Sequence, residues 1–269
     1  MRTYVVTGSA SGIGAATAKL LSAGGHSVIG VDLNNADVVV DLSTKDGINA
    51  MAHTVRSMTG GAIDGVIASA GVGASTLGPE AILNINYAGA VGTLETLRPL
   101  LANGTNPRAV VLSSIAALSA NLDEIVDRCM DGDLNAATRA CEGSPALAYA
   151  GGKRAIAKWI RTAAVTSEWA GAGIALNAVG PGMTASPMTS YYLGTPDQIT
   201  DALQRNPQPL KGIGKVDDIA ALLVWLTSAE NGFVNGQLIF ADGGHEAVVT
   251  AGDVGRRADG SNFVGRGTV

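Results

Sequence analysis

The chain has few aromatic side chains, little charge and almost no cysteine. Aromatics make up 4% and charged residues 15% of its 269 positions, and Cys129 and Cys141 are the only cysteines. Two thiols in one mid-chain segment form neither a disulfide framework nor a metal-binding spacing, so they read as buried or idle. His26, His53 and His245 are scattered without a paired-ligand pattern, which argues against metal catalysis. No apolar run approaches the ~18 to 20 residues of a membrane span. The first strand-like run begins almost at Met1, leaving no room for a leader, and the expectation is a soluble cytoplasmic protein. A net charge of −5 with a pI near 5.1 disfavours nucleic acid and anionic membrane as partners.

What the chain has in abundance is apolar residues, at 46%, and glycine, at 36 positions. A chain this long can form one α/β domain burying about three quarters of its unfolded surface. Short apolar runs read as strands at 3–7, 27–32, 38–40, 63–68, 109–112, 174–178 and 237–240. Helical periodicity falls between them, at 13–21, 44–58, 79–100, 149–169 and 216–226. Strands separated by crossover-length helices predict a doubly wound parallel sheet of about seven strands. One domain is expected over 1–246, with 183–212 as its substrate-binding region. The polar, glycine-rich stretch 247–269, which holds Arg256, Arg257 and Arg266, reads as a flexible tail.

Tyr149 follows Ser114 by 35 positions, too many for a short loop. Leu122, Ile125, Val126, Cys129 and Met130 form one apolar helical stripe, Asp131-Gly132-Asp133 a turn, and 134–141 a second helix. The segment 119–144 is therefore predicted to be a helical hairpin. Three roles stay open for it: a cover on the domain's own surface, a lid over the substrate cleft, or a subunit contact.

Two constellations carry chemistry. Thr7, Gly8, Gly12 and Gly14 join the first strand to the first helix. Gly8 lets the chain reverse, Gly12 lets the backbone approach a pyrophosphate, and Gly14 permits close helix packing. Backbone N–H groups of Ser11 and Ile13 at the helix start then face the phosphates. The fold this predicts is a Rossmann-type α/β domain. Asp32 ends the second strand 18 residues after Gly14, where a carboxylate receives both adenosine ribose hydroxyls. No Arg or Lys stands at Ser9, Ala10, Ser11, Leu33, Asn34 or Asn35 to offset repulsion of a 2′-phosphate. Like charges ~4 Å apart at an effective dielectric of ~20 cost about 4 kcal/mol, so NAD is expected over NADP.

The second constellation is Tyr149-Ala-Gly-Gly-Lys153, which sets a phenol and an ammonium one helical turn apart on one face. A cation ~4 Å away is worth about 4 kcal/mol, or about three pKa units, which would bring the phenol near 7. Desolvation works against this, and the positive charge of an oxidised nicotinamide would help.

Further motifs follow in order: Ser69-Ala70-Gly71, Asn86, Ser113-Ser114, Pro181-Gly182 and Asp242-Gly243-Gly244. With the two constellations they resemble the single-domain short-chain dehydrogenases/reductases, over roughly residues 2–244. The resemblance implies Tyr149 as acid/base and Lys153 on the nicotinamide ribose. It further implies Ser114 on the substrate oxygen and Asn86 fixing a water in a proton relay. Ala70, Gly71, Pro181, Gly182 and Thr184 would line the cofactor, with Leu33, Asp41 and Leu42 near its adenosine. Ser69 departs from the family's usual Asn, which touches a hydrogen bond between neighbouring strands. The insertion before Tyr149, with Gly30-Val31-Asp32-Leu33 and Val40-Asp41-Leu42-Ser43-Thr44, is similar to the bacterial 3α-hydroxysteroid dehydrogenase/carbonyl reductase subgroup.

The expected reaction interconverts a hydrophobic secondary alcohol and its ketone with NAD and without metal. Met183, Pro187, Met188, Tyr191, Tyr192 and Leu193 supply an apolar substrate wall. A steroid is implied only by the subgroup resemblance, and the same wall would accept a terpenoid or an aromatic carbonyl. Two alternatives stand beside this reading: an NADP-dependent 3-oxoacyl-type ketoreductase and a catalytically inactive NAD-sensing protein. Relatives of this kind pair through long helices, so a homodimer or homotetramer is expected, the dimer favoured.

Overall fold

The structure is a computed structural model that describes residues 1–75, 77–210 and 212–250. Seven strands build its main sheet: β1 (Thr3–Thr7), β2 (Ser27–Asp32), β3 (Val38–Val39), β4 (Gly65–Ala68), β5 (Arg108–Leu112), β6 (Ala175–Pro181) and β9 (Leu238–Ala241). They pair in the order β3-β2-β1-β4-β5-β6-β9, and every pairing is parallel. The chain builds outward from β1 in one direction and then in the other. That reversal opens a crevice at the carboxyl ends of β1 and β4, where open α/β sheets bind ligands. A short pair, β7 (Thr184–Ala185) and β8 (Gly214–Lys215), stands apart from the main sheet.

Alternate residues of each strand feed opposite faces. Val5, Val66, Ala109 and Val111 pack with α2 (Lys45–Thr59), α4 (Ala90–Leu101) and α7 (Pro145–Ala163). Tyr4, Val6, Ile67, Val110 and Leu112 pack on the other side, with α1 (Gly12–Ala23) and α9 (Val216–Thr227). Both faces are covered, which is why the strands read as unbroken apolar runs rather than alternating ones.

Four elements differ from the sequence expectation. The helix expected over 79–100 is divided into α3 (Pro79–Leu83), a π-helical turn (Asn84–Gly89) and α4. The helix carrying Tyr149 starts four residues earlier than expected, at Pro145, where the Ser144 hydroxyl caps the Leu147 N–H at 3.3 Å. It also stops earlier, at Ala163, leaving Trp169 buried in the turn beyond. Within 183–212 lies a helix that periodicity did not show, α8 (Pro196–Arg205). A last helix, α10 (His245–Val249), takes up the first residues of the stretch read as a tail, and 251–269 lie outside the described residues.

The insertion before Tyr149 is a hairpin of α5 (Asp123–Met130) and α6 (Leu134–Ala140). Its stripe of Ile125, Val126 and Cys129 is buried against α7. The Ile125 side chain occupies the space that a Cβ on Gly151 would need. Lys158 of α7 meets Asp127 at 2.6 Å, and Arg154 meets Asp123 at 3.5 Å. Of the three roles left open, the structure shows the first: the hairpin covers the domain's own helix.

Candidate active site

Two adjoining clefts open at the carboxyl edge of the sheet. The smaller, about 220 Å³, is lined by the turn after β1 and the ends of β2 and β4. Gly8, Ser11, Gly12, Ile13, Gly14, Asp32, Leu33, Asp41, Leu42, Ala70 and Gly71 all contribute to it. Each residue that the sequence assigned to the phosphate and adenosine end is therefore placed in one cavity.

The glycines show what the cavity accommodates. Gly12 is left-handed at φ +54°, and a Cβ there would meet nothing closer than Ser186 Cβ at 3.9 Å, so a bare backbone faces the cleft. Gly14 is the opposite case, because its Cβ would collide with the Gly8 carbonyl and push α1 away from the turn. Asp32 joins the turn to the cleft: Ala10 N donates to its Oδ2 at 3.0 Å and Leu33 N to its Oδ1 at 2.7 Å. Each oxygen keeps acceptor capacity for a hydroxyl. Asp41 also lines the cavity, and no Lys or Arg does among the described residues. A bare backbone at a helix start beside unneutralised carboxylates fits a dinucleotide whose ribose carries free hydroxyls.

Ser69, where the family usually has Asn, leaves the strand joint intact. Thr7 Oγ1 accepts from both Ser69 N (3.1 Å) and Ala70 N (3.0 Å), tying β1 to the end of β4.

The larger cleft, about 510 Å³, shares Ile13, Ser69, Gly71 and Leu112 with the smaller one. Ser114, Tyr149, Lys153, Pro181, Gly182, Met183, Thr184, Met188, Tyr191 and Tyr192 line it. Ser114 ends the extension of β5, and its Oγ accepts from Ala116 N at 3.1 Å, which fixes the hydroxyl at the cleft floor. Lys153 is buried, and its Nζ donates to the Leu112 carbonyl at 2.8 Å. Ser113 completes the brace by donating to the Lys153 carbonyl at 2.8 Å. Burial lowers the Lys153 ammonium to about 8.

Here the phenol departs from the sequence expectation. Burial raises the Tyr149 hydroxyl above its ordinary value, with a hydrogen bond to Ser114 pulling the other way and nearby Tyr191 adding to the rise. The Lys153 ammonium stands 5.8 Å from the centre of the Tyr149 ring and is itself weakened by desolvation. The drop toward 7 anticipated from a cation ~4 Å away is thus overridden by desolvation.

Asn86 lies in the π-helical turn, fully buried behind the cleft rather than on its wall. Its Oδ1 accepts from Val72 N at 2.8 Å and its Nδ2 donates to Val72 O at 2.9 Å. The amide is committed to the backbone beside Gly71, where an added Cβ would stand 2.9 Å from Asn86 Oδ1 and 3.7 Å from Lys153 Nζ. The geometry gives this side chain a hold on the Val72 backbone, and each amide atom keeps capacity for one further hydrogen bond.

The segment after β6 crosses both clefts. Ser186 approaches Gly12, and Met188 Cγ would lie 3.3 Å from a Cβ on Gly73. Gln208, buried, binds this segment by accepting from Met183 N and donating to Met183 O at 3.1 Å. Pro187 lines the smaller cleft, and Leu193 lines neither. Sequence reasoning missed Arg205, Asn206, His245 and Val249, which complete the larger cleft. For Arg205 and Asn206 a signal existed: the Thr195…Gln198 capping box with Pro196 at the first helical position marks the helix that ends at Arg205. His245 and Val249 have no such marker.

Comparison with known proteins agrees with this arrangement. Residues 2–126 match the family model for short chain dehydrogenase, and 129–246 the model for enoyl-(acyl carrier protein) reductase. The 3-alpha-hydroxysteroid dehydrogenase/carbonyl reductase of Comamonas testosteroni is 32% identical over 93% of this chain and 98% of that protein. A coniferyl-alcohol dehydrogenase from a Pseudomonas species is 28% identical over 89% of this chain and 94% of that protein. Among solved structures, a Pseudomonas 3-alpha-hydroxysteroid dehydrogenase complexed with NADH superposes with a TM-score of 0.86 at 35% identity, covering 93% of this chain and 98% of its own. With a doubly wound sheet, a glycine turn over a carboxylate-lined cleft and a Ser-Tyr-Lys set on the adjoining cleft, this chain belongs to the short-chain dehydrogenase/reductase family of oxidoreductases.

Proposed function

We propose that this protein interconverts a hydrophobic secondary alcohol and its ketone with NAD(H), and that a 3α-hydroxysteroid or related alicyclic carbonyl compound is its substrate. The observation that carries the reading is the set Ser114, Tyr149 and Lys153 on the wall of the larger cleft, which adjoins the carboxylate-lined smaller one through Ile13, Gly71, Leu112 and Met188. When bound, the dinucleotide supplies the acceptor for the carbinol hydride. Ser114 orients the substrate oxygen, and the Tyr149 phenolate takes the hydroxyl proton as the carbon–hydrogen electron pair leaves. Reduction runs in reverse, with the neutral phenol donating. Lys153 is placed to hold the nicotinamide ribose with the N–H groups not engaged by Leu112. Pro181, Gly182 and Thr184 border the nicotinamide end.

Support for NAD over NADP comes from Asp32 and Asp41 in a cleft that no Lys or Arg lines among the described residues, and from the NADH-complexed relative. Support for a steroid-sized substrate comes from the Comamonas relative and from a cleft large enough for a drug-sized ligand. The apolar part of its wall is Met183, Met188, Tyr191 and Tyr192. Absorbance at the reduced-nicotinamide band, followed with a panel of hydroxysteroids and small secondary alcohols, tests both. Turnover with NAD and a preference for the ring systems is expected. Binding of NAD with no turnover of any alcohol, or an NADP preference, would overturn the proposal. We also place the chain in a homo-oligomer, the dimer favoured, because relatives of this kind pair through long helices and the hairpin on α7 alters one such face. A single monomer mass in light scattering at micromolar concentration would refute that.

A further inference from the structure

Part of the larger cleft's wall has no task in the reaction just proposed. His245 and Val249 of α10 stand there with Arg205 and Asn206 from the end of α8. Arg205 is occupied by its own helix, with Nε donating to the Asp201 carbonyl at 3.3 Å and a guanidinium nitrogen 3.8 Å from the Asp201 carboxylate. His245 is different. It is 94% buried, yet it lines the cleft.

The tautomer of that ring follows from its partner. His245 Nδ1 lies 3.2 Å from the Pro207 carbonyl, and a carbonyl only accepts, so Nδ1 carries the proton. Nε2 is left with a lone pair. Among the described residues Nε2 has no hydrogen-bond partner, and it is not among the polar atoms sealed from solvent. His245 lines the cleft, and Nε2 is the ring atom left to meet a ligand there.

The support of the ring is rigid. Asp242 accepts from Gly244 N at 2.9 Å and Glu246 N at 2.7 Å, and Leu210 N donates to the Gly243 carbonyl at 3.0 Å. Pro207 precedes Gln208, which is itself bonded to Met183 O and to Gly212 O. An acceptor held this firmly discriminates by chemistry, because a buried lone pair left without a donor costs more than a hydrogen bond returns.

We infer that His245 Nε2 is a specificity-determining acceptor for a second hydroxyl, or other neutral donor, carried by the substrate in addition to the reacting alcohol. The inference rests on the proposed alcohol-oxidising reading, since Ser114 and Tyr149 already take the reacting oxygen and leave His245 for another group. A ketone or carboxylate oxygen at that place would face the lone pair and be disfavoured.

The test uses pairs of steroid alcohols that differ by one hydroxyl: androstanediol against androstanol, and deoxycholate and chenodeoxycholate against lithocholate. In the wild-type enzyme at least one added hydroxyl raises kcat/KM about tenfold, the effect of one ordinary hydrogen bond. His245→Asn keeps a donor for Pro207 and removes the acceptor, so that ratio falls toward one. His245→Gln, which restores an acceptor near Nε2, recovers part of it. No gain from any added hydroxyl, or a gain that survives His245→Asn, overturns the inference. Failure to oxidise any of the five alcohols would strike the steroid reading instead. Nitrogen NMR of the His245 ring then still decides the point, because a proton on Nε2 and none on Nδ1 contradicts the assignment.

Discussion

Asp32 does two things with one carboxylate. It fixes the glycine turn through Ala10 N and Leu33 N, and it presents negative charge to the cleft where the adenosine ribose is proposed to lie. Asp32→Ala is therefore expected to weaken NADH binding and to cut the NADH-over-NADPH preference by roughly 10- to 100-fold, less than the unrelaxed ~4 kcal/mol would give. Fluorescence titration with both nucleotides measures it, and an unchanged preference would remove Asp32 from that role. The glycines and Asp32 were legible because each answers a local demand: a left-handed φ at Gly12 or a close approach at Gly14 leaves a mark at that position in the sequence. The phenol of Tyr149 was not legible in the same way, since its acidity depends on its burial in the fold and on Ser114 and Tyr191, both distant in the chain. His245 was invisible for a related reason: a lone histidine acquires its role from Pro207, 38 positions away.

Among the elements, the hairpin shows how far periodicity reaches. The stripe at Leu122, Ile125, Val126 and Cys129 predicted α5, but the face that receives it became clear only with Gly151 packed against Ile125. Ile125→Ala removes that contact from a buried site and is expected to cost about 2–4 kcal/mol, read as a lower Tm by calorimetry. An unchanged Tm would mean that the hairpin adds nothing to the stability of α7. The π-helical turn at Asn84–Gly89 was not read from the sequence because the chain stays helical on both sides of it and only the local hydrogen-bond register changes. It matters all the same, since it carries the amide that braces Gly71 and Val72 beside Lys153.

For the molecule as a whole, titration of buried groups sets an alkaline limit. Burial raises Cys129 from 9.0 to about 12, Cys141 from 9.0 to about 11 and Tyr192 from 10.0 to about 12, and it raises Tyr87 as well. A raised acid keeps its proton in the folded state after the unfolded chain has lost it, so stability from these groups is full below pH 9 and lost above it. Lys153, lowered from 10.5 to about 8, acts oppositely: its folded form gives up the proton first, and stability from that group rises between those values. Two thiols and two tyrosines outweigh one lysine, so Tm is expected to fall steadily above pH 9, and less steeply in Cys129→Ala. A Tm that holds level through the range would show that these groups become solvated without unfolding.

The doubly wound order of the sheet brings the glycine turn of β1, the end of β5 and the helix α7 to one edge, where the smaller cleft adjoins the larger one that Tyr149 lines. The account stands on that convergence, and the most direct measurement of it is a single-turnover experiment on Tyr149→Phe loaded with NADH. Loss of the acid/base group should leave NADH bound at wild-type affinity and slow ketone reduction by about 10² to 10⁴-fold. Hydride transfer at the wild-type rate would contradict it.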